Sequence, residues 1–200
     1  MKIVFIGDSI TEWGRHECSE GIGTGYVRLI YDYLKVVYPQ IHFEIVNTGV
    51  GGNRITDLEQ RWDEDVIQHK PDIVSISIGV NDVWRQLDHS NVEQVSPQAF
   101  ERIYIDLLSQ VKKSKIVLME PTIIEENLDA EGNKRLKDYV EIIHKVARKF
   151  DATVIPTHQA CINYLKINNG YKLTTDGVHM NSAGNMLMAV TWLENAHLQS

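Results

Sequence analysis

A serine, a histidine and a carboxylate can together carry out acyl transfer, provided that a fold brings them into line. In this chain the run Ile-Val-Phe-Ile-Gly-Asp-Ser-Ile-Thr, from Ile3 to Thr11, is apolar and then stops abruptly at Gly7, Asp8 and Ser9. That is the pattern of a buried strand delivering a polar side chain to the edge of a sheet, and it makes Ser9 a candidate nucleophile. A serine is a poor nucleophile at neutral pH unless an oriented base takes its proton. The sequence offers such a base in Thr-Thr-Asp-Gly-Val-His-Met-Asn, from Thr174 to Asn181. Asp176 and His179 are three apart, a spacing at which the carboxylate can reach Nδ1 and leave Nε2 facing Ser9. Of the eight histidines, only His179 combines a near carboxylate with a loop position ahead of a helix.

Acyl transfer also needs donors for an oxyanion, each typically worth about 3 kcal/mol. The Ser9 backbone N–H is one candidate. The segment from Thr48 to Arg54 holds three glycines, and Gly49 to Gly52 can bring backbone close to a reacting atom because no side chain obstructs it. Asn81, in Gly79-Val80-Asn81-Asp82, can add a side-chain amide. A rival pair, His16 and Cys18, lies in the loop after Ser9. Two residues apart in a loop, with nothing to orient the histidine, it is poorly preorganised.

These groups need elements that hold them. Val27, Ile30, Leu34 and Val37 recur at helical spacing and predict a helix from Tyr26 to Tyr38, and His42 to Val46 reads as a strand. Thr56 and Glu59 resemble a capping box for a helix from Asp57 to His69. A strand follows from Asp72 to Ile78, and then a polar loop from Val80 to Val95. Ser96-Pro97 opens a helix carrying Phe100, Ile103, Leu107 and Val111. Lys115 to Met119 is a strand, Pro121 to Gly132 a loop, and Tyr139, Ile142, Val146 and Phe150 mark a helix. Thr153 to Ile155 is the last strand, with helices from Thr157 to Ile167 and from Ser182 to Asn195 on either side of a loop. Strands alternating with helices predict five parallel strands covered on both faces. Ligands then bind beyond the carboxyl ends of the strands, so Ser9, Gly52, Asn81 and the Pro121 segment share one rim.

Length and charge set the frame. Two hundred residues make one domain, 1–200, able to bury a core without staples. The formal net charge of −7 argues against nucleic acid or an anionic membrane as partner. No apolar run approaches the roughly 20 residues that span a bilayer, and Ile3 to Ile6 is too short for a signal-peptide core. Cys18 and Cys161, far apart and in no metal-like spacing, fit reduced thiols in the cytoplasm. No cofactor motif is present: no Walker loop, His-Glu-X-X-His helix or dinucleotide fingerprint. Asn127-X-Asp129-X-Glu131-Gly132 is faintly like a calcium loop, but its twelfth position is Asp138 rather than Glu, and no metal is expected.

Taken in order, the four polar clusters resemble the SGNH hydrolases, also called the GDSL family, over nearly the whole chain. Gly7-Asp8-Ser9-Ile10 resembles the first block, with Ile where the family name has Leu. Asn47 to Gly52 resembles the second, with Gly52 at the oxyanion glycine. Gly79, Asn81 and Asp82 resemble the third, and Asp176 and His179 the block that supplies acid and base. The resemblance implies a flavodoxin-like three-layer α/β/α sandwich, an acyl-enzyme formed on Ser9, and an oxyanion hole of Ser9, Gly52 and Asn81. A Gly-X-Ser-X-Gly elbow is absent, which separates the chain from the α/β-hydrolases.

The rim also carries Trp13, Arg15, Arg54, Trp84 and Arg85, and with Asp8 and Asp82 these are the candidate substrate contacts. Aromatic faces and arginine forks suit a sugar ring better than a fatty chain. Gly23-Thr24-Gly25-Tyr26, Arg61 to Ile67 and Asn81 to Gln86 resemble the intracellular acetylxylan esterase branch, some members of which form homo-oligomers. The expected function is therefore hydrolysis of short-chain esters of carbohydrates. Alternatives are an aryl or lipid esterase, lysophospholipase, thioesterase or acyltransferase on the same triad, or a carbohydrate-binding module without catalysis.

Overall fold

The computed structural model describes residues 1–89, 91–167 and 170–198. Five strands, β1 (Lys2–Gly7), β2 (Glu44–Asn47), β3 (Ile73–Ser77), β4 (Lys115–Met119) and β5 (Thr153–Ile155), pair in parallel in the order β2-β1-β3-β4-β5. This is the flavodoxin-like order, whose switch point lies between β1 and β3. Strands buried on both faces must be apolar throughout, and β1 is fully buried from Ile3 to Ile6.

The helices are α1 (Ser9–Glu12), α2 (Tyr26–Val37), α3 (Ile55–Trp62), α4 (Val80–Asp88), α5 (Pro97–Ser109), α6 (Glu131–Phe150), α7 (Thr157–Ile167) and α8 (Ser182–Asn195). The step from β1 to β2 runs one way across the sheet and every later step runs the other. Right-handed crossovers therefore put α2 on one face and α3, α5 and α6 on the opposite one. The contacts agree: α8 packs on α2 and α7, while α5 packs on α3 and α6. Phe5 is central to the first face, with ring centroids 6.1 Å from Tyr26 of α2 and 5.5 Å from Trp192 of α8. The Trp192 indole N–H donates to Ser75 Oγ at 3.0 Å, and Ser75 pairs with Phe5 in the β1–β3 register. The last helix is thereby fastened to the two central strands.

Three expectations need correction. The segment from Val80, read as a polar loop, begins with α4. Asn81 and Asp82 are polar but as buried as Val80 and Val83, so the polarity that suggested solvent faces inward. The helix expected from Asp57 begins at Ile55 and gives way after Trp62 to a π turn, Asp63–Ile67. Its cap is not Thr56 with Glu59: the Arg54 backbone N–H donates to Asp57 Oδ2 at 2.7 Å. Val37, assigned to the buried stripe of α2, is exposed, and Tyr26 is buried in the stripe instead. Among the described residues no helix is long and apolar enough to cross a membrane.

Candidate active site

Ser9 begins α1 directly after β1. Asp8 makes the turn as the N-cap, its Oδ1 accepting from the Ile10 N–H at 2.9 Å. A side chain at Gly7 would have its Cβ 2.3 Å from Thr11 Oγ1 and 2.4 Å from the Ser77 carbonyl. Only glycine lets the strand end so close to β3 before it turns. Ser9 is left half-buried at the switch point, its N–H among the first-turn amides that an α-helix leaves without an internal partner.

The histidine comes from the other end of the chain. Asn181 caps α8, accepting from Ala183 N–H at 2.8 Å and Gly184 N–H at 3.0 Å. An antiparallel bridge between Thr174 and Met180 closes the preceding loop, and Glu126 Oε1 holds its base by accepting from the backbone N–H groups of Leu173 and Thr174. Within the loop Asp176 Oδ1 accepts from the Val178 and His179 N–H groups at 3.0 and 2.8 Å. Asp176 Oδ2 lies 2.6 Å from His179 Nδ1, and His179 Nε2 lies 3.0 Å from Ser9 Oγ. A carboxylate at Nδ1 selects the tautomer protonated there, which leaves Nε2 to accept from the serine.

Burial pushes the Asp176 carboxyl up, but the hydrogen bonds from the His179 ring and from the two backbone amides outweigh it. The result lies below the ordinary 3.8, so the group stays charged at neutral pH.

The glycine loop after β2 passes beside the serine. A Cβ built on Gly51 would stand 3.9 Å from Ser9 Cβ, while Gly52, with φ +77°, faces open space. Gly51 N–H donates to Glu12 Oε2. Asn81 is buried at the start of α4, and its Nδ2 donates to the Asn53 carbonyl at 3.1 Å. Asn47, last residue of β2, brackets the loop: Nδ2 donates to the Thr11 and Ile22 carbonyls, and Oδ1 accepts from Gly49 N–H.

The candidate substrate contacts divide sharply. Trp13 and Trp84 flank His179, the first stacked at 5.8 Å and the second edge-on at 6.1 Å. Asp8 and Asp82 are 2% and 1% exposed and are occupied by the backbone, Asp82 accepting from Ile55 N–H at 3.1 Å. Burial pushes Asp8 up to about 6, against the pull of Ile10 N–H and of the His179 charge. It pushes Asp82 up to about 7, against Ile55 N–H and Arg54. The arginines also have partners within the protein: Arg15 reaches the Asn47 carbonyl, Arg54 the Glu93 carbonyl, and Arg85 both Asp88 and the face of Trp84.

His16 and Cys18 do not meet. His16 Nε2 lies 3.5 Å from Glu12 Oε1, and Cys18 Sγ accepts from Gly23 N–H at 3.1 Å. A cavity of about 620 Å³ between α5 and α6 is lined by none of the groups around Ser9. Its size says nothing of the chemistry, which follows the hydrogen-bonded line at the sheet edge.

The sequence pattern gives Glu12, Asn53, Arg61 and Glu126 no role. Their signal was weak, a charged or amide side chain inside or beside a motif loop, and only contacts distinguish such residues from solvated ones.

An α/β sheet of this order with a serine, a histidine and a carboxylate in line at its switch point defines a class, and most of the sequence falls in it. The chain belongs to the GDSL-like lipase/acylhydrolase family, whose pattern matches residues 5–187, and it is a carboxylic ester hydrolase. It is 38% identical to an acetylxylan esterase of Geobacillus stearothermophilus, over 96% of this chain and 92% of that protein. A crystal structure of the Geobacillus acetylxylan esterase superposes with a TM-score of 0.91 at 36% identity, covering 99% of this chain and 94% of that one. An enzyme described as an α/β hydrolase from the metagenome of Lake Arreo, Spain, superposes with a TM-score of 0.92 at 32% identity, covering 100% and 96%.

Proposed function

We propose that this esterase removes acetyl groups from carbohydrate esters such as acetylated xylo-oligosaccharides, with Ser9 as nucleophile, His179 as base and Asp176 as the carboxylate that orients it. The observation that carries the reading is the unbroken line of hydrogen bonds from Ser9 Oγ through His179 to Asp176. As Ser9 Oγ bonds to the acetyl carbon, its proton passes to His179 Nε2 and the carbonyl π pair moves onto oxygen. The N–H groups of Ser9 and Gly52 and the Asn81 amide receive that oxyanion. An amide nitrogen carries two N–H bonds, so Asn81 can serve the oxyanion while bonded to Asn53. Collapse expels the sugar oxygen, which takes the proton from His179. Water then attacks the acetyl-enzyme with His179 again as base, releasing acetate and restoring Ser9.

Support for the sugar ester comes from Trp13 and Trp84 beside the base, because aromatic faces accept sugar rings, and from the similarity to an acetylxylan esterase. The same reading includes a homo-oligomer, which the exposed apolar side chains of Tyr33, Met186 and Val190 fit. It also includes a reducing cytoplasmic compartment, which the two unpaired thiols fit.

The test is acetate release from acetylated xylo-oligosaccharides, against a panel of aryl acetates, longer acyl esters, lysophospholipid, thioesters and an acceptor alcohol. Faster turnover of the acetylated sugars, and loss of activity in Ser9→Ala, are expected. Preference for long acyl chains or thioesters would replace the substrate, and an active Ser9→Ala would remove the mechanism.

A further inference from the structure

Arg61 lies in α3, and its side chain is 17% exposed. With Asp65, four residues on in the π turn, it forms an ion pair. Its other bonds leave the helix. Nη2 donates to the Gly7 carbonyl at 2.9 Å, Nη1 to the Thr48 carbonyl at 2.7 Å, and Nε to Asn53 Oδ1 at 2.7 Å.

These three acceptors are chosen points of the site. Gly7 ends the strand two residues before Ser9. Thr48 and Asn53 are the two ends of the loop that contains Gly49, Gly51 and Gly52. Asn53 is also the residue whose carbonyl accepts from Asn81 Nδ2. One planar guanidinium thus ties together the segments bearing all three candidate oxyanion donors. The Gly7 carbonyl is shared, since it also accepts from Val50 N–H at 3.1 Å.

A loop with three glycines among six residues loses much backbone freedom when it is fixed. An oxyanion hole is effective only if its donors are fixed before the reaction. Something must therefore hold this loop, and a rigid fork with five donors does so in a way that a lysine ammonium cannot. Glu12 holds the opposite edge by accepting from Gly51 N–H.

We propose that Arg61 is a positioning residue for the oxyanion hole, setting the Gly52 loop and Asn81 relative to Ser9 without touching substrate. This rests on the assignment of Ser9, Gly52 and Asn81 given above. Arg61→Met and Arg61→Lys are to be compared with wild type and Ser9→Ala for kcat, KM, pH profile, and affinity for a boronic acid that forms a tetrahedral adduct on serine.

A misplacement of about 1 Å typically costs on the order of 100-fold. The expected result is a fall in kcat of that size for Arg61→Met, with KM within about 3-fold and boronate affinity falling in proportion. The shape of the pH profile should be unchanged, because Arg61 does not bond His179 or Asp176. Millimolar guanidinium should restore part of the rate in Arg61→Met. If Arg61→Met does not fold, Arg61→Lys decides: a lowered kcat with unchanged KM supports the role, and a wild-type kcat overturns it. An active Ser9→Ala would instead remove the underlying assignment, whereas a dead Ser9→Ala beside a fully active Arg61→Lys removes only the role of Arg61.

Discussion

The indole of Trp13 stacks on the imidazole of His179, with ring centroids 5.8 Å apart and planes inclined by 29°. Trp84 meets the same imidazole edge-on, so the ring proposed as the base is confined by two aromatic walls as well as by Asp176. An imidazole held in this way loses little rotational freedom on reaching the transition state. The two walls are separable by kinetics. Trp13→Ala is expected to lower kcat about 10-fold on aryl acetate and acetylated oligosaccharide alike, a modest loss of orientation by the scale of such effects. Trp84→Ala is expected to raise KM for the oligosaccharide while leaving that for the aryl ester nearly unchanged. Identical changes on both substrates in both variants would contradict this division.

The Asp176 side chain is half exposed, and water can replace part of what it does. His179→Ala should therefore cost more than Asp176→Asn, for which a loss of about 10²-fold to 10⁴-fold in kcat is expected on the precedent of other triads. Steady-state rates at pH 7 to 8 check this. An Asp176→Asn enzyme as impaired as His179→Ala would mean that the carboxylate does more than orient the ring.

Asn81→Ala removes one of the proposed oxyanion donors and the bond to the Asn53 carbonyl. A fall of about 100-fold to 1000-fold in kcat with little change in KM is expected, as for other oxyanion-hole side chains. A change confined to KM would assign Asn81 to ground-state binding.

Asp82 gives a prediction in pH. Burial raises its carboxyl to about 7 from an ordinary 3.8, so the folded protein holds a proton there that the unfolded chain has released. Stability from this group is complete below about pH 4 and is lost as pH rises through about 7, by an amount of the order of a few kcal/mol. Asn at this position is neutral throughout and keeps an acceptor for Ile55 N–H. The Tm of wild type minus that of Asp82→Asn should therefore be highest near pH 4 and decline steadily to pH 8. A difference independent of pH would show that Asp82 does not titrate in this window. Asp176 has the opposite sign: its folded value is depressed, so its contribution is present above the ordinary 3.8 and disappears only as pH falls below it.

Much of this was legible in the sequence. β4, β5, α7 and α8 begin and end where apolar spacing, Pro and cap residues put them, because each is bounded by a strong local signal. That Ser9, His179 and Asp176 come into line was legible because each stands in a short polar run at a strand or helix end. What escaped was polarity turned inward. Asn81 and Asp82 read as loop residues, yet they are buried in a helix, and Asp8 and Asp82 read as substrate contacts, yet they hold backbone amides. Arg61 escaped for a related reason. Its partners lie 54, 13 and 8 residues away, and no local pattern announces bonds to carbonyls of other elements.

Ser9 and His179 stand 170 residues apart in the chain, one at the end of the first strand and the other just ahead of the last helix. On the roles proposed above, a growing polypeptide makes its nucleophile 170 residues before its base. Until α8 packs its Trp192 against Phe5 and Ser75, Ser9 stands without the imidazole proposed as its proton acceptor.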